Sequence, residues 1–258
     1  MQAAARGSCL AIGLSPHSPY AVSEELLSAC GELARRAGIP PAIHAAESPE
    51  EAEWLSSGGG PIAHSLYPAV GCATPPTRRP ARSPIAYLSE VGALAWRPLL
   101  VHAVHADEAD CRIMAGHGVR VAHCPRSNRL LSRGTAPVPR FLSHGIPVGL
   151  GTDSLASAPD LDLWQEMRAA LATHAGRLDP AAVLEMGTLG GARALGMADR
   201  VGSLEAGKRA DVIAVAADGI ATSDPVGSLL EGTQGEDVLL ALIDGEVRHR
   251  KTEAVSCV

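Results

Sequence analysis

Five short apolar runs, each ending near a polar residue and most followed by a helical pattern, constrain this chain more than any other feature. They lead to His17 in S-P-H-S-P-Y, His44 in I-H-A-A-E, His102 in L-L-V-H, His123 in V-A-H-C-P and Asp153 in G-L-G-T-D-S. Strands that alternate with helices pair in parallel, because each helical crossover returns the chain to the end where the strand began. In barrels built this way the chemistry sits at the C-terminal ends of the strands. The sequence therefore predicts an α/β fold of about five βα units, from Cys9 to His174, with its polar strand ends gathered on one rim.

The punctuation between the runs agrees. After a strand at Cys9 to Leu14, Ser23 caps an amphipathic stretch that Gly38 closes. Ser48-Pro49-Glu50-Glu51 after the second strand reads as a capping box with Pro at the first helical position. Residues 57–83 are rich in Gly, Pro and Ser and predict a long irregular excursion, followed by a helix near Pro84 to Val91. Strands are expected at Leu99 to Val101, Val119 to Ala122 and Pro147 to Leu150. Helices are expected at Ala106 to Gly116, Pro137 to His144, Leu161 to His174, Pro180 to Met186 and Gly190 to Leu195. A closed barrel needs eight strands, so three further units are expected ahead of Met1.

Near residue 200 the pattern changes. Asp211 to Val215, Val238 to Ile243 and Val247 to Arg250 read as strands, with Asp244-Gly245 as a two-residue hairpin turn. Residues 1–200 are thus expected to form a partial TIM-type β/α barrel. Residues 201–258 are expected to supply strands of a small β-sandwich.

Composition excludes several functions. A chain of 258 residues with 46% hydrophobic content can bury a large core. The net charge is −6, and three Trp, three Tyr and one Phe leave few stacking platforms, so nucleic acid is not an expected partner. The six cysteines form no C-x-x-C pair and read as reduced thiols. No apolar run reaches membrane-spanning length and no signal-peptide core precedes the first strand. A cytoplasmic protein with a small-molecule substrate and no membrane partner is expected.

Each candidate residue carries two readings. His44 and Glu47, in H-x-x-E just past a strand, make a metal ligand with a proton carrier, or a strand-end histidine with a solvated helix-start acid. Asp153 ligates a metal and accepts a proton from water, or caps a helix. His17, held among prolines, contacts substrate or marks a turn. His102 closes its strand as the inward group of H-x-x-H, with His105 structural. His64, His117, His144, His174 and His249 read as solvated or capping residues. Cys124 reads as a buried small thiol.

Taken in order, S-P-H-S-P-Y, H-A-A-E-S-P-E-E, L-L-V-H-A-V-H, V-A-H-C-P-R-S-N, G-I-P-V-G-L-G-T-D-S-L-A-S and G-S-L-E-A-G-K-R-A-D-V-I-A-V resemble the amidohydrolase superfamily over nearly the whole chain. The similarity is to its nucleoside-type deaminases, methylthioadenosine/S-adenosylhomocysteine deaminases and aminodeoxyfutalosine deaminases in particular. The resemblance implies a homo-oligomer built on a metal-bearing barrel, with zinc or another divalent ion such as iron. It makes His44 and Asp153 metal ligands, Glu47 the acid that protonates a purine ring nitrogen, His102 the group that polarises the attacking water, and His17 a substrate contact. The family also takes two ligands from an H-x-H pair, and no two histidines here are two residues apart. The first expectation is a zinc-dependent deaminase of an aminopurine nucleoside. Its rival is a truncated, catalytically silent chain without metal. Within the class, a chlorohydrolase or a guanine-type deaminase is the alternative.

Overall fold

The computed structural model describes residues 12–72, 80–216 and 218–251. The chain forms two compact units, residues 1–148 and 149–258.

The first unit opens with helix α1 (Glu24–Ala37), where Ser23 Oγ accepts from the Leu26 amide and Gly38 closes the helix in the left-handed region. Glu24 and Glu25 in its first turn and Arg35 and Arg36 in its last complement the helix dipole. Strand β1 (Ala42–Ala45) and helix α2 (Pro49–Ser57) follow. The excursion expected as irregular is partly helical: a π-helical turn spans Ile62–Leu66 and runs into α3 (Tyr67–Ala69). Its residues Ile62, Ala63 and Tyr67 are buried, and Tyr67 Oη donates to the Tyr20 carbonyl at 2.7 Å. Those apolar contacts order a stretch whose Gly and Pro content reads as loop. Residues 73–79, within the same excursion, lie outside the described residues.

Helix α4 (Pro84–Glu90) comes next, then strand β2 (Leu99–His102), helix α5 (Glu108–His117), strand β3 (Arg120–His123) and the short helices α6 (Pro125–Leu130) and α7 (Val138–Ser143). Strand β4 (Val148–Leu150) contains the boundary between the units. The sheet order is β1-β2-β3-β4. Strands β1 and β2 are parallel with Ile43 opposite Leu100, and β2 and β3 are parallel with Leu100 opposite Val121. These three partners are fully buried and form one stripe of the core, with Leu55, Leu88, Leu94, Met114 and Phe141 also buried. Of the first expected strand, Leu14 makes a single parallel bridge with Pro41, and residues 1–11 lie outside the described residues. The alternation of strand and helix is thus as expected, with four strands and a bridge among the described residues.

In the second unit, α8 (Leu163–Thr173), α9 (Pro180–Gly187), α10 (Leu189–Leu195) and α11 (Pro225–Gly232) accompany strands β5 (Val212–Val215), β6 (Val238–Ile243) and β7 (Glu246–Arg250). Trp164, Met167 and Ala170 of α8, Val183 of α9 and Leu230 of α11 form a buried cluster. The strands make an antiparallel sheet in the order β5-β6-β7. Asp244 and Gly245 both have positive φ, 55° and 79°, which is the backbone of a type I′ hairpin turn.

Candidate active site

The strand ends of the first unit bring four of the five proposed site residues together. His44, near the end of β1, donates to the S-P-H loop: its amide donates to the His17 carbonyl at 2.9 Å, and its Nδ1 lies 3.2 Å from the same oxygen. A carbonyl only accepts, so Nδ1 carries the proton and the lone pair is left on Nε2. The His17 and His44 rings are 4.9 Å apart, and those of His44 and His102 are 5.3 Å apart.

His102 is 1% exposed. Its Nδ1 lies 2.9 Å from Asn128 Oδ1, in α6. An amide oxygen also only accepts, which again leaves the lone pair on Nε2. His102 Nε2 is 4.0 Å from Glu47 Oε2, and Arg133 Nε is 3.3 Å from Glu47 Oε1. Arg133 Nη1 also reaches Glu50 Oε2 at 3.9 Å.

The backbone at these strand ends is unusual. Ala46, His102, Ala103 and Asp153 all hold positive φ between 48° and 72° without being glycine. Such conformations cost about 1 to 3 kcal/mol each and persist where surrounding bonds fix them. Here the Ala103 amide donates to the Ala45 carbonyl at 3.1 Å and the His105 amide to the Ala46 carbonyl at 2.9 Å. The His105 amide thus ties the start of the following loop to the Ala46 turn.

Glu51, in the first turn of α2, is also 1% exposed. Its oxygens accept from the Ala46 and Glu47 amides at 3.0 and 2.9 Å, while Ser48 Oγ accepts from the Glu51 amide at 3.2 Å. Burial pushes its carboxyl up to about 7 despite the two N–H donors, with the nearby Glu47 charge adding to the rise. Beside Glu47 a cavity of about 520 Å³ is lined by Tyr20, Ser48, Glu50, Ile62, Leu66 and Arg133, among others.

Asp153 follows β4, and its Oδ2 accepts from Ser157 Oγ at 2.6 Å. The Nε2 lone pairs of His44 and His102 are imidazole donors of the kind a zinc-like divalent ion takes. The carbonyl behind His44 and the Asn128 oxygen behind His102 are the outer partners that such ligands ordinarily have.

Other expectations resolve simply. Cys124 is buried, as expected, and burial pushes the Cys111 thiol up to about 11. His174 occupies the cap position after α8, but it is fully buried instead of solvated. Sequence reasoning passed over Asn128, Arg133 and the reach of Glu51. The signal for Asn128 was Pro125 at the first position of a helix opening directly after a strand-end H-C.

Comparison with known proteins follows the same lines. The amidohydrolase family model matches residues 2–248. The 5-methylthioadenosine/S-adenosylhomocysteine deaminase of Syntrophobacter fumaroxidans is 37% identical over 245 residues, covering 92% of this chain and 51% of that protein. The aminodeoxyfutalosine deaminase of Deinococcus radiodurans is 40% identical over 196 residues, covering 72% and 46%. A crystal structure of an adenosine deaminase from Xanthomonas campestris with bound zinc superposes with a TM-score of 0.80 at 29% identity, covering 96% of this chain and 54% of that one. The chain belongs to the amidohydrolase family, and its parallel sheet is part of that family's barrel fold. It spans about half the length of the curated relatives it matches. No helix among the described residues is long and apolar enough to cross a membrane.

Proposed function

We propose that this chain carries the site of a zinc-dependent hydrolytic deaminase acting on an aminopurine nucleoside. The observation that carries the reading is the convergence of His17, His44, Glu47 and His102 at the ends of parallel strands. The Nε2 lone pairs left on His44 and His102 and the deaminase names of the relatives support it.

His44 and Asp153 hold the ion in this reading. A bound zinc ion lowers the pKa of water toward about 7 and so supplies a nucleophile at neutral pH. His102 orients the attacking water through Nε2, because Asn128 fixes the proton on Nδ1. Asp153 accepts the proton of that water and passes it to the exocyclic amine, and the proton of the added hydroxyl returns to Glu47 as the carbonyl forms. Glu47 delivers a proton to a ring nitrogen of the purine, so that the amidine carbon accepts the oxygen and the exocyclic amine departs as ammonia. His17 contacts the substrate, and the adjoining cavity accepts the rest of the nucleoside, with Arg133 and Glu50 as polar contacts and Ile62 and Leu66 as an apolar wall. The same proposal includes a cytoplasmic homo-oligomer.

The test is ammonia release from a panel of adenosine derivatives by the zinc-loaded chain and by Glu47→Gln. Ammonia from an adenosine-type nucleoside, lost in the variant, is expected. A panel with no ammonia from any aminopurine nucleoside refutes the reading. Turnover of chlorinated triazines or guanine alone would instead favour the chlorohydrolase or guanine-type alternatives.

A further inference from the structure

Glu51 is the buried carboxylate that the chemistry above leaves unused. A Glu at the third position of a capping box ordinarily reaches back to the amide of the cap residue. Ser48 is that cap, and it accepts from the Glu51 amide as the motif requires. The Glu51 side chain does more than that: it takes the amides of Ala46 and Glu47, one on each oxygen, with the Ser48 amide also favouring its charged form. Ala46 sits at φ 52°, a region that residues with a Cβ seldom adopt. Its carbonyl is already engaged by the His105 amide. The Ala46 residue is therefore tied through both its amide and its carbonyl, and the amide tie is Glu51.

We propose that Glu51 is a positioning residue: its buried carboxylate grips the Ala46 and Glu47 amides and thereby fixes where the Glu47 side chain enters the site. This deepens the deaminase reading and rests on its assignment of Glu47 as proton carrier. Above about pH 7, where Glu51 is ionised and the exchange below is measured, its carboxylate offers an acceptor oxygen to each amide. Glutamine keeps the volume but sets an N–H donor against a backbone N–H, so one amide must let go. A side chain that only capped α2 would act on the Ser48 amide alone and leave the Ala46 and Glu47 amides without it.

Amide hydrogen exchange on the full chain separates the two roles. In the wild type the Ala46 and Glu47 amides should exchange slowly. In Glu51→Gln at least one of them should exchange about tenfold faster or more, while Trp54 to Ser57 in α2 keep their wild-type rates. Wild-type Ala46 and Glu47 amides that exchange as fast as unstructured peptide overturn the proposal, and this measurement stands even if the variant fails to fold. Glu51→Gln amides as protected as wild type overturn it too. In turnover, Glu51→Gln should lower kcat about tenfold to a hundredfold with KM near wild type, the scale expected of a misplaced catalytic group. Glu47→Gln separates the layers. If it keeps full turnover, the proton-carrier reading fails while the exchange data still judge the clamp. If it is inactive and Glu51→Gln has wild-type kcat, the clamp fails and the reading survives.

Discussion

Stability should fall as pH rises from about 4.5 to about 7, and Glu51 is the reason. Its carboxyl is wholly buried, and burial raises the folded-state value from 4.5 to about 7. In that window the native protein still holds a proton that the unfolded chain has released. The stabilising contribution is therefore complete below the unfolded value of 4.5 and is lost as pH rises through about 7. A change from 4.5 to about 7 corresponds to about 3 kcal/mol, from roughly 1.4 kcal/mol per pH unit. His174 works in the opposite direction. Burial, and to a smaller degree the charge of Arg177, hold its imidazole below the ordinary value, so it costs stability as pH falls below about 6.5. Comparing wild type with Glu51→Gln removes that background, because both proteins keep His174. Urea melts from pH 5 to pH 8 read the difference directly. The wild type should lose about 2 to 3 kcal/mol more than the variant across the range, since part of the contribution is already gone at pH 5, where the unfolded carboxyl is mostly ionised. Parallel curves that stay within about 0.5 kcal/mol of each other would refute the burial argument, since they would mean that Glu51 meets the same environment folded and unfolded.

Four further outcomes are expected. In Gly31→Ala the new Cβ would fall 1.8 Å from the Trp96 ring, so the variant should lose about 1 to 3 kcal/mol with altered Trp fluorescence, and an unchanged urea midpoint would contradict the packing. Phe141→Ala opens a fully buried site and should cost about 3 to 5 kcal/mol in chemical denaturation. Asn128→Ala leaves the His102 Nδ1–H without its acceptor and should cost about 1 to 3 kcal/mol, with Asn128→Asp recovering most of it; equal losses in both variants would show that the hydrogen bond does not matter. Zinc competition against a chelator should show His44→Ala losing affinity far more than His102→Ala, and equal losses would make His102 a third ligand.

The sequence carried the order of strands and helices because polar strand ends, Ser caps and Gly closures are local signals. Ser23, Gly38 and Asp244-Gly245 each act within a few residues of themselves, and each is found in its expected role. His17, His44, Glu47 and His102 were legible for the same reason: each follows an apolar run, and the structure brings them to one rim. What was not legible depends on contacts distant in sequence or on backbone conformation. The His102 pairing with Asn128 spans 26 residues, and that of Glu47 with Arg133 spans 86. The turn at Ile62–Leu66 is ordered by burial of Ile62, Ala63 and Tyr67, which composition conceals. The left-handed conformations at Ala46, His102, Ala103 and Asp153 fall on residue types with no preference for them, so only the surrounding hydrogen bonds reveal them.

The most direct test of the account is the zinc content of the purified chain after dialysis, beside His44→Ala and Asp153→Ala. The wild type should retain about one zinc ion per chain, in keeping with a single catalytic site, and both variants should lose it while remaining folded. Equal zinc retention by all three proteins, or none by the wild type after zinc loading, would contradict a metal-dependent site at these strand ends.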